Sequence, residues 1–293
     1  MPPIRRRTTR KARTTTQNVP DKPSPKPLPL VERTNALSLA EFISTYIPSS
    51  ELHFQKEKEK NNGKDEVDHD PIIPHQPHTN TNNDNDNDND NDNDNDNDND
   101  NGEPETNLET YTVSIYTAST IPSSELTACF NLIQLTSSTA YKSSSMGWSP
   151  SDKRKEMKLP DMRYMILRRV VSDKDGEGEG DSDSDSSGEI VGFLEFMVTY
   201  EDGYEVLYCY EIHLMPGAQG QRLGEELMLR FERIGRRIGL EKTMLTVFKS
   251  NRRAVTFYER VGYTEDENSP QPKRLRNGMV KEADYYIMSK MLR

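Results

Sequence analysis

Between Tyr208 and Ile238 an apolar, aromatic stretch passes through the turn Pro216-Gly217-Ala218-Gln219-Gly220 into a helical repeat, and this crossing constrains the fold more than any other part of the chain. Glycines let a backbone approach an anion closely, and the first turn of a helix offers N–H groups and the positive end of its dipole. A pyrophosphate would sit well there. Beyond the turn, Leu223, Leu227, Phe231, Ile234 and Ile238 recur at helical spacing, so one face packs on a sheet. Alone, such a turn leaves nucleotides, phosphates and a plain structural turn open.

The mean hydropathy of -0.92 and apolar content of 32% lie between those of a globular enzyme and a disordered chain. The average hides a division. The net charge of -11 is matched by one tract, nine Asp alternating with Asn from Asp84 to Asp100 followed by Glu103 and Glu105. The rest is neutral overall: the acidic run from Asp173 to Glu189 is set against Arg5, Arg6, Arg7, Arg10, Lys11 and Arg13. That basic run fits a nuclear address, a nucleic-acid contact or a solvated tail equally.

Cys129 and Cys209, each in an apolar segment, argue against a disulfide framework and for a reducing compartment. The N-terminus has no apolar leader core and no stretch reaches membrane-span length, which argues against secretion and insertion. Cytoplasm and nucleus are the expected locations.

Residues 1–34 read as a basic, Pro-punctuated tail, and residues 35–60 as a helical segment, with Leu37, Leu39, Phe42, Ile43, Tyr46 and Ile47 at helical spacing and a second helical run up to Lys60. Residues 61–107 form a low-complexity Asn/Asp tract expected to stay disordered. It lacks the Gly-turned loop and closing Glu of a calcium site, and no metal is expected there or at His69, His75 and His78. Residues 108–293 alternate strand and helix signals in the order βααβββαβαβ, with Ser123 or Ser124 and then Ser149 as helix caps and Asp202-Gly203 as a hairpin turn. The fold class is α+β.

A second element sharpens the reading. The stretch from Thr246 to Tyr263 is a strand feeding a helix that ends at glycine, and Asn251, Ala254, Tyr258, Gly262 and Tyr263 match the later helix of the GNAT superfamily. Gln219 and Gly224 fit that superfamily's acetyl-CoA loop, while Arg222 stands where it prefers glycine. The chain further resembles the NatD family of histone N-terminal acetyltransferases through Met146-Gly147-Trp148, Lys153-Arg154-Lys155-Glu156-Met157, the run from Val206 to Glu211 and the run from Met244 to Lys249.

The resemblance implies a GNAT fold: a mixed, mostly antiparallel sheet with helices on both faces, the segment 35–60 packed on it and the Asn/Asp tract inserted. It implies acetyl-CoA as co-substrate, held by Ile212, His213 and Leu214 of a splayed strand, by Gln219, Gly220, Gln221, Arg222, Leu223, Gly224 and Glu225 of the loop, and by Asn251 and Tyr258. Arg222, turned outward, would add a contact to a CoA phosphate. The amine would attack directly, without a covalent enzyme intermediate, and a backbone N–H would stabilise the oxyanion.

Glu211 is the candidate base, because an acid interrupting an aromatic strand is costly to bury without purpose, and burial is expected to raise its pKa. Tyr258 is the candidate acid for the thiolate. By resemblance Tyr141, Tyr208, Tyr210, Thr246 and Tyr285 line the peptide cleft, with Glu201 facing the arginine of a Ser-Gly-Arg-Gly terminus; Thr199 falls where the family carries a further acid. Each aromatic reads equally as core. An α-amine, at about 7.7–8.0 against about 10.4 for lysine, is the easier amine to deprotonate.

Histone N-terminal tails are thus the expected partner, with a monomer as default and neither membrane nor specific DNA binding expected. The alternatives are a GNAT enzyme for a small amine or lysine, and a histone- or ribosome-binding module without turnover.

Overall fold

The computed structural model describes residues 27–57, 108–170 and 188–292. The Asn/Asp tract, the basic run and all but the end of the acidic run lie outside the described residues. An eight-stranded sheet organises the remainder. In chain order it comprises β1 (His53–Glu57), β2 (Leu108–Thr117), β3 (Arg163–Val170), β4 (Glu189–Glu201), β5 (Tyr204–Leu214), β6 (Lys242–Phe248), β7 (Thr264–Glu265) and β10 (Tyr285–Met291), with spatial order β1-β2-β3-β4-β5-β6-β10-β7. Among the described residues only β5 and β6 pair in parallel. β8 (Lys273–Arg274) and β9 (Val280–Lys281) make a separate ribbon.

Strand alternation produces two cores. On β3, Met165 and Leu167 face one side with Phe42, Phe196 and Phe231, whereas Tyr164 and Ile166 face the other with Phe130, Ile133 and Phe193. Helices α1 (Leu30–Asn35), α2 (Leu39–Tyr46), α5 (Leu223–Ile238) and α6 (Arg252–Arg260) contribute to the first core, and α3 (Ser123–Ser143) to the second, together with Met157 at the end of α4 (Pro150–Glu156). Cys129 and Cys209 are free, buried and in different cores. The fold is α+β with helices on both faces, as expected.

Local chemistry sets several boundaries. The Ser149 hydroxyl caps α4 with Pro150 in the first turn, and Asp202 and Gly203, at φ 48° and 88°, make the tight β4–β5 turn. The expected Ser cap of α3 is corrected: Pro122 stands at the cap and Ser123 is the first helical residue.

The N-terminal segment needs larger corrections. Helix begins at Leu30, inside the expected tail, and seats Val31 and Thr34 in the interior. The expected second helical run up to Lys60 is a 3-10 turn, Ser49–Glu51, followed by strand β1. Pro48 disfavours helical backbone at Ile47, and β1 then pairs with β2 while Phe54 stacks on Tyr111 at 5.2 Å. The segment is tied to the sheet: Asn35 donates to the Val198 carbonyl at 2.9 Å, and the Arg163 guanidinium lies 4.4 Å over the Phe42 ring.

Candidate active site

Strand β5 pairs with β6 only from Val206 to Cys209 and then departs, while β6 continues to Phe248 against β10. The wedge opens into a groove of about 1460 Å³ lined by the end of β5, the loop before α5, strand β6 and helix α6. In the β4–β5 register Glu195 pairs with Glu211 and Phe196 with Cys209, so Tyr210 is an extra residue, a β-bulge. Its effect is decisive. Leu207 and Cys209 face the α5 core, and strict alternation would send Glu211 there too. The extra residue instead turns Glu211 and His213 toward α3, leaving Ile212 and Leu214 on the α5 side.

Glu211 sits in a dense polar cluster. Its Oε1 accepts from the Tyr141 hydroxyl and from the Lys153 ammonium, both at 2.7 Å, and its Oε2 lies 2.6 Å from Nε2 of His213. Nδ1 of His213 lies 2.6 Å from the Thr136 hydroxyl, which is 2.8 Å from the Leu132 carbonyl. Lys153 also reaches Glu156 at 2.6 Å.

The expectation that burial raises the pKa of Glu211 is corrected. Burial does push upward, but the hydrogen bond from His213, the charge of that imidazole when it is protonated, and the Lys153 ammonium more than offset it, and the carboxyl is held at about 2. Glu211 is a fixed anion. Burial works against the Lys153 charge, yet Glu211, Tyr141 and Glu156 hold its ammonium above the usual lysine range. Burial and then the Glu211 charge push the Tyr141 hydroxyl up. Tyr258, buried in the groove wall, is also held protonated, chiefly by burial, as a thiolate donor must be.

Of the expected acetyl-CoA residues, Ile212, His213, Leu214, Gln219, Gly220, Arg222, Gly224, Glu225, Asn251 and Tyr258 line the groove. Gln221 and Leu223 have other side-chain roles: the Gln221 amide donates to the Gly217 carbonyl at 2.9 Å, and Leu223 is fully buried. Asn251 caps α6, accepting from the Ala254 N–H at 3.1 Å. The His213 imidazole points to Thr136 and Glu211.

Helix α5 starts at Leu223, because Arg222 is left-handed at φ 56°. Glycine takes that conformation without the steric cost that Arg222 carries. A Cβ on Gly224 would come 3.3 Å from the Phe257 ring, so glycine permits close approach of α5 and α6 beside the loop.

Of the expected peptide-cleft residues, Tyr141, Tyr210 and Thr246 line the groove. Tyr208 lies beside them with its hydroxyl 2.5 Å from that of Thr246, and burial raises its pKa to about 12. Glu201 ends β4, where its charge acts on the hydroxyls of Tyr208 and Tyr210. Tyr285 pairs with Phe248 across β10 and β6 and is not among the groove-lining side chains.

Sequence reasoning assigned no role to Lys153 or Thr136. Lys153 lies inside α4, in the Lys153-Arg154-Lys155-Glu156-Met157 motif that follows the Ser149 cap, which was the available signal; Thr136 gave none. Among the described residues no cluster of three metal-ligating side chains occurs, and no helix is long and apolar enough to cross a membrane.

The Acetyltransferase (GNAT) family model matches residues 156–263, which hold the β5–β6 wedge, the loop and α6. The chain carries a GNAT-type acetyltransferase domain. Acetyl-CoA is the acetyl donor of such enzymes, and the glycine-lined loop at the start of α5 suits its pyrophosphate. Similar solved structures include the ribosomal-protein-S18-alanine N-acetyltransferase of Escherichia coli, 18% identical over 62% of this chain and 94% of that one, with a TM-score of 0.38. Another is the Vibrio cholerae spermidine N-acetyltransferase in complex with CoA and spermine, 15% identical over 61% of this chain and 95% of that one, with a TM-score of 0.40. The Glu211 cluster forms the wall of the groove on the α3 side.

Proposed function

We propose that this acetyltransferase acts on the N-terminal α-amine of a protein, with histone tails that begin Ser-Gly-Arg-Gly as its substrate. The observation that carries the reading is the ionised Glu211 bonded to Tyr141 at the groove, beside Tyr210, Thr246 and Tyr208. A fixed carboxylate attracts a terminal ammonium and orients the amine or its water, and the aromatic walls grip a peptide rather than a compact amine. Glu201 at the end of β4 is the acid for the substrate arginine. Histone tails place the enzyme in cytoplasm and nucleus.

In the reaction the amine nitrogen bonds to the thioester carbonyl carbon and the C–S bond breaks, with a backbone N–H of the splayed strand holding the oxyanion. Of the two protons the ammonium loses, one goes to the CoA sulfur and one to solvent; Tyr258 is the donor to the sulfur.

Mass spectrometry of Ser-Gly-Arg-Gly peptides with free and blocked N-termini, incubated with protein and acetyl-CoA, tests the reading. A single acetyl on the free peptide alone, greatly slowed by Glu211→Gln, is expected. CoA binding without acetylation of this peptide overturns the substrate assignment and leaves a small amine or a lysine side chain.

A further inference from the structure

Glu211 is poorly suited to keep a proton, because its carboxyl is stabilised as an anion from three sides. The remaining part of the cluster is better built for it. His213 bridges Glu211 to Thr136, and Thr136 is exposed and lines the groove, whereas His213 is only 8% exposed. We infer that His213, reached through the Thr136 hydroxyl, holds the proton released by the attacking amine, while Glu211 stays ionised and stabilises the imidazolium. This rests on the amine-acetylation reading above and deepens it.

The hydrogen-bond inventory carries the argument. The 2.6 Å contact between Oε2 of Glu211 and Nε2 of His213 requires a hydrogen between them, so a neutral imidazole beside the carboxylate carries its hydrogen on Nε2 and leaves Nδ1 as an acceptor. The Thr136 hydroxyl, 2.6 Å away, then donates to Nδ1. When a water that has taken the amine proton passes a hydrogen to Oγ1 of Thr136, the hydroxyl hydrogen moves to Nδ1. The imidazolium now donates from both nitrogens, and the hydroxyl turns its new hydrogen to the Leu132 carbonyl at 2.8 Å.

The exchange needs no movement of a heavy atom: in the neutral state the single Thr136 hydrogen goes to Nδ1, and in the imidazolium state it goes to the Leu132 carbonyl. The relay takes up one proton and later returns it to solvent by the reverse path. The groups facing it are Glu211 on β5, with Lys153 and Tyr141 on that carboxylate, Thr136 on α3 and the uncharged Phe193 ring on β4, 5.6 Å from the imidazole.

The experiment has two arms. In the free protein, NMR of the His213 ring nitrogens and the Glu211 carboxyl carbon is followed as the pH is lowered. The ring gaining its Nδ1 proton while the carboxylate stays ionised is the expected result. A carboxyl that titrates beside an unchanging ring overturns the relay, whatever the substrate.

In the second arm, kcat and KM are measured on the Ser-Gly-Arg-Gly peptide for wild type, His213→Gln, Thr136→Val and Thr136→Ser, with CoA-induced thermal shifts as the folding control. His213→Gln should lower kcat about 10²-fold with the KM for acetyl-CoA unchanged, Thr136→Val should follow it, and Thr136→Ser should restore activity. Wild-type kcat in both His213→Gln and Thr136→Val overturns the relay. A wild type inactive on the peptide overturns the substrate reading alone and leaves the titration to decide the relay.

Discussion

Glu195 and Glu211 are register partners across β4 and β5, both buried, and their protonation diverges. Glu195 is fully enclosed, its Oε1 3.4 Å from the Tyr164 hydroxyl and its Oε2 without a partner, and burial followed by the nearby Glu211 charge pushes its pKa well up. Glu211 is held at about 2 by His213 and Lys153 despite its burial. The pair is one neutral acid and one anion. Two carboxylates driven apart in this way are a signature of a site with separated roles.

Their effects on stability run in opposite directions with pH. Glu195, raised in the fold, contributes fully below the unfolded carboxyl value of about 4.3, and that contribution is lost as pH rises through its folded value. Glu211, depressed in the fold, contributes fully above about 4.3 and loses it as pH falls through about 2. Urea unfolding across pH should therefore show Glu195→Gln gaining on wild type toward neutral pH. Glu211→Gln should lose the acid-side decline instead. Parallel pH curves for wild type and Glu195→Gln would rule out the neutral acid.

Lys153 holds Glu211 ionised from a different helix, with both side chains less than a tenth exposed. Replacing it by methionine removes one partner of a buried ion pair and should cost about 3 kcal/mol. It also removes a positive charge from the cluster that joins Glu211 to His213, so the acid limb of the rate profile should move to higher pH. Rate profiles for wild type and Lys153→Met check this; an unmoved limb would show that His213 alone fixes the charge.

Much of this arrangement was legible in the sequence, and the remainder was not for physical reasons. The amphipathic face of α5, the cap at Ser149 and the turn at Asp202-Gly203 are local signals written within a few residues. β1 is not, because Phe54 becomes part of a strand only by pairing with a segment that follows the Asn/Asp tract. Glu211 stood out as an acid in an aromatic strand. Its anionic state did not, since that depends on Lys153 and His213 and on a bulge at Tyr210 that period-two reading would skip.

Arg222 pays a conformational penalty at the mouth of the groove. A left-handed residue other than glycine costs about 1 kcal/mol, so Arg222→Gly should raise unfolding stability by about that amount. If the guanidinium contacts a CoA phosphate, the same substitution weakens acetyl-CoA binding. Calorimetric titration with CoA beside thermal unfolding separates the effects: higher stability with weaker binding is the expected pair.

At the far end of the wedge, Lys242 begins β6, and its ammonium lies 2.6 Å from Oδ2 of Asp266 with both side chains almost wholly buried. Burial raises the Asp266 pKa, but the hydrogen bonds from Lys242 and Ser289 and the charge of Lys242 leave it lowered overall. Lys242 also pairs with Val206, the first residue of the parallel β5–β6 contact. Asp266→Asn should therefore cost about 3–5 kcal/mol, because it leaves a buried ammonium uncompensated, and Lys242→Met in the same chain should recover most of that loss. The pair lies away from the open end, so the folded fraction of either variant should keep the wild-type KM for acetyl-CoA. A double-mutant cycle by urea unfolding, with KM measured alongside, decides the point. Additive losses would mean that the two side chains are coupled too weakly to close the wedge.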